Sequence, residues 1–125
     1  MPLRVLIVDD DSLVRTTLSL MLEGAGHVVS TLESGFGLAV AFRSLRPDIV
    51  ILDVNMPGLG GCGALRTARE LCEDSVQPKV LLHSGRSAEE LSEIARGACA
   101  DGFLQKPASR STVLAALDNA SPHAA

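Results

Sequence analysis

Four short clusters in this chain carry residue types able to do chemistry. Asp9, Asp10 and Asp11 follow one apolar run, Asp53 ends a second, Ser84-Gly85 follows a third, and Lys106-Pro107 follows a fourth. Brought to one place, three carboxylates repel one another unless a cation lies among them. Hard oxygen ligands that leave positions for water suit Mg²⁺. A lysine ammonium would add a fixed positive charge and a serine hydroxyl a hydrogen-bond donor. Gly85 would leave room for a bulky group. Metal, ammonium and hydroxyl together can neutralise the equatorial oxygens of a transferring phosphoryl group. The remaining requirement is an acceptor, and a carboxylate can be one.

Each cluster alone has an ordinary explanation. A strand-end aspartate is often a helix cap or turn residue. Lys-Pro is usually a surface turn, and Ser-Gly usually a loop. Their joint occurrence at the ends of different apolar runs carries the argument, so the elements that position them come next.

The apolar runs are residues 3–8, 27–31, 49–52, 79–82 and 102–104. Most are continuous rather than alternating, as in strands buried on both faces of a parallel sheet. Helical patterns lie between them. Leu13, Val14, Leu18, Met21 and Leu22 make one stripe, with Gly24 or Gly26 as its stop. Leu38, Val40, Ala41, Phe42 and Leu45 make a second, which should end before Pro47. Gly35 and Gly37 should weaken its start, by ~1 kcal/mol each relative to Ala. Leu65, Ala68, Leu71 and Cys72 make a third. Ser87 and Glu90 form a capping-box signature before Leu91, Ile94 and Ala95. Ser109 or Ser111 caps a last helix with Val113, Leu114 and Leu117. Five strand–helix units predict a doubly wound α/β domain, whose site lies at the carboxyl ends of the strands near the topological switch point. All four clusters fall at such ends.

The bulk numbers narrow the alternatives. The 125 residues fit one domain, and 46% of them are hydrophobic, enough for a core without staples. Three Phe, no Tyr and no Trp argue against base-stacking platforms for single strands. A net charge of −4 argues against a nucleic-acid surface. Cys62, Cys72 and Cys99 are odd in number and lack CxxC spacing, so reduced thiols in a cytoplasmic protein are the simpler reading. No stretch reaches the ~20 apolar residues of a membrane span, and the N-terminus lacks a signal-peptide pattern.

The segments VLIVDDDSLVR (5–15), PDIVILDVNMPG (47–58), VLLHSG (80–85) and GFLQKP (102–107) resemble the receiver domains of two-component response regulators, over essentially the whole chain. The resemblance implies a doubly wound (βα)5 flavodoxin-like sandwich over residues 1–120, its five-stranded parallel sheet in the order 2-1-3-4-5. Residues 121–125 are then a tail or the start of a linker. It implies that Asp53 accepts a phosphoryl group from the phosphohistidine of a sensor histidine kinase or phosphotransfer protein. Asp10 would ligate Mg²⁺ directly, Asp9 partly through water, Asp53 as acceptor, and Asn55 through its backbone carbonyl. Lys106 would pair with phosphoryl oxygens across a cis Lys106–Pro107 bond. Ser84 would be the switch hydroxyl and Phe103 the switch aromatic, rotating inward as Ser84 moves. The surface of the fourth helix, fifth strand and fifth helix (residues 87–97, Phe103 and residues 111–117) would then meet a downstream protein or output domain, or a second copy as a homodimer on phosphorylation. Such a module is not an enzyme beyond its own phosphoryl transfer and dephosphorylation, and it touches neither nucleic acid nor membrane directly.

The sequence departs from the family at Gly60-Gly61, where Asp-Gly is common, and at Ala108, where Phe or Tyr is frequent. Arg86 and Asn55, each two residues beyond a site residue, should tune the lifetime of the phosphoryl group. His83 should point away from Ser84 as a partly buried structural residue. His27 and His123 have no evident partners, and Cys99 reads as core packing. The alternatives are a receiver fragment of a longer transcription regulator or hybrid kinase, a docking module with vestigial phosphorylation, and an aspartyl-nucleophile phosphatase acting through the first strand. The last usually needs a cap over its substrate, and the five units account for the chain.

Overall fold

Runs of Val, Ile and Leu pair as five parallel strands, with a helix after each. The computed structural model describes residues 2–55, 61–72, 77–98 and 100–120. The elements are β1 (Arg4–Val8), α1 (Ser12–Gly24), β2 (Val28–Leu32), α2 (Leu38–Leu45), β3 (Ile49–Asp53), α3 (Gly61–Leu71), β4 (Lys79–Ser84), α4 (Ala88–Ala98), β5 (Gly102–Gln105) and α5 (Arg110–Ala120). The sheet order is β2-β1-β3-β4-β5, the doubly wound arrangement expected. Residues 121–125, the proposed tail, lie outside the described residues, as do Gly60 and Cys99.

Strand alternation divides the core into two layers. Leu6, Val8, Val50, Leu52, Val80 and Leu82 face α2, α3 and α4, meeting Leu38, Phe42, Leu65, Ala68 and Ala95. Val5, Ile7, Ile49, Ile51, Leu81 and Leu104 face α1 and α5, meeting Leu18, Leu22, Val113 and Leu117. β3 is buried along its whole length, as its continuous apolar run requires. β2 does not follow that pattern. It is an edge strand, and Val28 is 59% exposed.

Three predicted helix stripes are corrected. Leu13 of α1, Val40 and Leu45 of α2, and Leu71 of α3 are exposed rather than in the core. In each helix, neighbouring apolar residues fill the space against the sheet and leave these outside. Gly35 and Gly37 do not weaken α2, because both precede it. Gly37 takes a left-handed backbone with φ of 88° immediately before Leu38, where glycine is suited rather than costly. Of the two candidate stops for α1, Gly26 adopts the left-handed turn, with φ of 93°, and its N–H donates to the carbonyl of Glu23. Ser87 accepts from the N–H of Glu90, as the capping box predicts. Ser109, not Ser111, caps α5 by accepting from the N–H of Thr112. The Lys106–Pro107 bond is cis. Among the described residues no helix is long and apolar enough to cross a membrane.

Candidate functional site

Strand order decides which side chains meet. β1 and β3 are neighbours in register, so Asp9, just after β1, and Asp53, at the end of β3, come out side by side. Asp9, Asp10 and Asp53 each offer a carboxylate oxygen within 4.8 Å of the others. Asp9 and Asp53 are buried while Asp10 is exposed, so the group opens to solvent on one side. Asp11 stands apart. It caps α1, accepting from the N–H of Leu13 at 2.9 Å.

Lys106 enters from beyond β5. Its ammonium lies 3.0 Å from Asp9 Oδ2 and 3.6 Å from Asp53 Oδ1. One cation thus holds two buried carboxylates. The remaining Asp9 oxygen accepts from the N–H of Asp11 at 2.9 Å. Arg15, which the sequence reading missed, donates to the Asp9 carbonyl at 2.7 Å from one turn up α1. Asp53 Oδ1 also accepts from the N–H of Asn55 at 3.1 Å. Burial pushes the Asp53 carboxyl above its ordinary range. Asp9 and Asp10 push the same way, against the Asn55 hydrogen bond and the Lys106 charge. Three carboxylates and one shared ammonium leave a negative site of hard oxygen donors, a set that fits Mg²⁺.

Ser84 is fully buried at the end of β4, on the α2–α4 side. Its hydroxyl oxygen accepts from Asn55 Nδ2 at 3.3 Å and from the N–H of Arg86 at 3.1 Å. Arg86 then turns back. Its Nε and Nη2 donate to Asn55 Oδ1 at 3.2 and 3.0 Å, while Nη1 pairs with Glu90 at 3.3 Å. Asn55 and Arg86 were each singled out in the sequence, but their direct bond was not. They lie 31 residues apart, and only the pairing of β3 with β4 brings them together. Phe103 is partly buried, beside Leu82 in register and packed against the α2–α4 layer.

His83 faces away from Ser84, as alternation predicts, and it is fully rather than partly buried, at 4% exposed. Burial first, and the Lys106 charge second, lower its pKa to about 4, with Asp9 acting in the opposite sense. His27 is corrected too. Its Nδ1 accepts from the N–H of Leu3 at 3.0 Å, tying the start of β2 to the segment before β1.

All six sequence-derived site residues therefore lie around one end of the sheet. Residues 5–118 match the family described as response regulator receiver domain. The chain is 37% identical over 103 residues to the transcriptional regulatory protein CseB of Streptomyces avermitilis, covering 82% of this chain and 42% of that one. It is 33% identical over 104 residues to the DNA-binding response regulator MtrA of Mycobacterium tuberculosis, covering 83% and 44%. The chain thus spans less than half the length of these curated relatives. Among solved structures, the chemotaxis protein CheY4 of Vibrio cholerae superposes with a TM-score of 0.86 at 28% identity, covering 96% of this chain and 99% of that one.

Proposed function

This chain belongs to the response regulator receiver domains of two-component signalling systems, and within that family we propose that Asp53 is its phosphoryl acceptor. The donor is the phosphohistidine of a sensor histidine kinase or phosphotransfer protein. An Asp53 oxygen forms the new bond to phosphorus as the phosphorus–nitrogen bond breaks, and the electron pair leaves with the imidazole. Asp9, Asp10, Asp53 and the Asn55 carbonyl would hold Mg²⁺, which supplies charge neutralisation for the phosphoryl oxygens.

The observation that carries this reading is the shared ammonium of Lys106, 3.0 Å from Asp9 and 3.6 Å from Asp53. It supplies a preorganised positive charge where negative charge arrives. Asp53 is placed as acceptor because one oxygen, Oδ1, is held by Asn55 and Lys106, which leaves the other to form the bond to phosphorus. The phosphatase alternative fits less well. Both oxygens of Asp9 are engaged, and Asp11 is a helix cap.

Ser84 is the switch hydroxyl in this proposal. Reaching the phosphoryl group requires it to give up its bonds to Asn55 and Arg86, which loosens the start of α4. Phe103 then turns inward, and the α4-β5-α5 face changes for a downstream protein, an output domain or a second copy. This is a population shift in a two-state element. Residues 1–120 form the receiver and 121–125 a tail or linker. The relatives named as transcriptional and DNA-binding regulators favour the alternative in which this receiver belongs to a transcription regulator.

The test is the amide spectrum with acetyl phosphate and Mg²⁺. Shifts are expected around Asp53 and to extend through Ser84 to Phe103 and α4. An unchanged spectrum, or the same shifts in Asp53→Asn, counts against the proposal.

A further inference from the structure

Ser84 is fully buried, yet the two residues that hold its hydroxyl, Asn55 and Arg86, are exposed. A guanidinium offers only donors. With Nε and Nη2 at 3.2 and 3.0 Å from Asn55 Oδ1, Arg86 fixes which end of that amide faces it. The amide nitrogen is thereby turned to Ser84, and Nδ2 donates to its oxygen at 3.3 Å. Glu90 of α4 holds the guanidinium from behind. Its Oε2 accepts from Arg86 Nη1 at 3.3 Å, and its Oε1 from the Ser87 hydroxyl at 3.2 Å. The main chain of Arg86 is held separately. Its N–H donates to Ser84 Oγ at 3.1 Å, and its carbonyl accepts from Gln105 Nε2 at 3.1 Å. Truncating the side chain leaves these two bonds in place.

An amide at the surface is free to turn and to bond water at either end. Pinned at its oxygen, the Asn55 amide has already lost that freedom, so its bond to Ser84 costs less ordering. We propose that Arg86 is a positioning residue for the switch: with Glu90 behind it, the guanidinium sets the Asn55 amide so that Ser84 keeps its resting position until phosphoryl oxygens draw it away. The inference rests on the reading of Ser84 as the switch hydroxyl. It concerns the position of Ser84 before phosphorylation, not the lifetime of the phosphoryl group afterwards. A clamp that favours the resting state raises the cost of switching, so loosening it shifts the population toward the switched state. Glu90 also places one end of the clamp on α4. A cationic partner group that pairs with Glu90 competes with Arg86 and loosens the clamp from outside.

Two measurements on the full chain test this. The first needs no phosphoryl mimic: the χ1 rotamer of Ser84 is read from side-chain couplings by NMR. One rotamer is expected in the wild type and a mixture in Arg86→Ala. The second is a titration with beryllofluoride, a phosphoryl mimic, in Mg²⁺, followed at the amides of Phe103 and α4. Arg86→Ala should reach the wild-type end state at a midpoint about threefold lower, part of the worth of one hydrogen bond. Glu90→Gln keeps the capping box and should lower the midpoint by less, as befits an exposed i,i+4 pair. A merely structural loss would not tighten the response. A single Ser84 rotamer in both proteins, or an Arg86→Ala midpoint equal to or above wild type, would overturn the proposal. A wild type that does not respond to beryllofluoride places the fault with Asp53 as acceptor, and the rotamer comparison alone then decides whether Arg86 positions Ser84.

Discussion

Asp53 and His83 are register partners on β3 and β4, and burial discourages charge on both. Their effects on stability run in opposite directions with pH. The His83 pKa falls to about 4 from its ordinary 6.5. Between these values the unfolded chain holds a proton that the folded chain does not, so the folded state loses stability as pH drops from 6.5 toward 4. The full shift corresponds to about 3 kcal/mol. Lys106 and Asp9 are the charges acting on the ring, and they partly offset each other. His83→Leu should flatten this acid limb, seen as a smaller loss of urea midpoint between pH 6.5 and 5 than in wild type. An unchanged slope would mean that His83 is not the titrating group. Asp53 has a raised pKa, so its folded form keeps a proton that the unfolded form has released. Its contribution is therefore lost as pH rises through the raised value. At neutral pH without metal, Asp53→Ala should stabilise the fold, by about 1 kcal/mol in chemical denaturation, a cost commonly carried by functional residues. Lys106→Met should do the reverse. It removes the cation from buried Asp9, and breaking a buried pair typically costs about 3–5 kcal/mol. Lys106 is partly exposed, so the lower part of that range is expected.

The elements were legible in the sequence because their signals are local. Continuous apolar runs gave β3 and β4, Ser87 with Glu90 gave the start of α4, and Pro47 limited α2. Two kinds of feature escaped. Periodicity marks an apolar stripe but does not say which member lies outside, so Leu13, Val40, Leu45 and Leu71 were misplaced. α2 provides a direct comparison. Leu38→Ala should cost about 2–5 kcal/mol because Leu38 is buried, whereas Val40→Ala should stay within about 0.5 kcal/mol. Equal losses in thermal or urea melts would refute the assigned helix orientation. The second kind is long-range pairing. Nothing near Asn55 announces Arg86, and nothing near His83 announces a ring without partners among the described residues, because both depend on what the sheet brings opposite.

At the scale of the whole molecule, the sheet gathers a site that no segment contains. Asp9 and Asp10 come from beyond β1, Asp53 from β3, Ser84 from β4 and Lys106 from beyond β5. The sheet also separates two faces. Ser84 and Phe103 belong to the side that would carry the switch outward, and His83 to the opposite side, with α1 and α5. Phosphorylation of Asp53 can be read from intact mass after incubation with acetyl phosphate and Mg²⁺. One phosphoryl adduct is expected on the wild-type chain, lost when Mg²⁺ is chelated and absent from Asp53→Asn. An adduct of equal yield on Asp53→Asn, or none on the folded wild type with Mg²⁺ present, would contradict it.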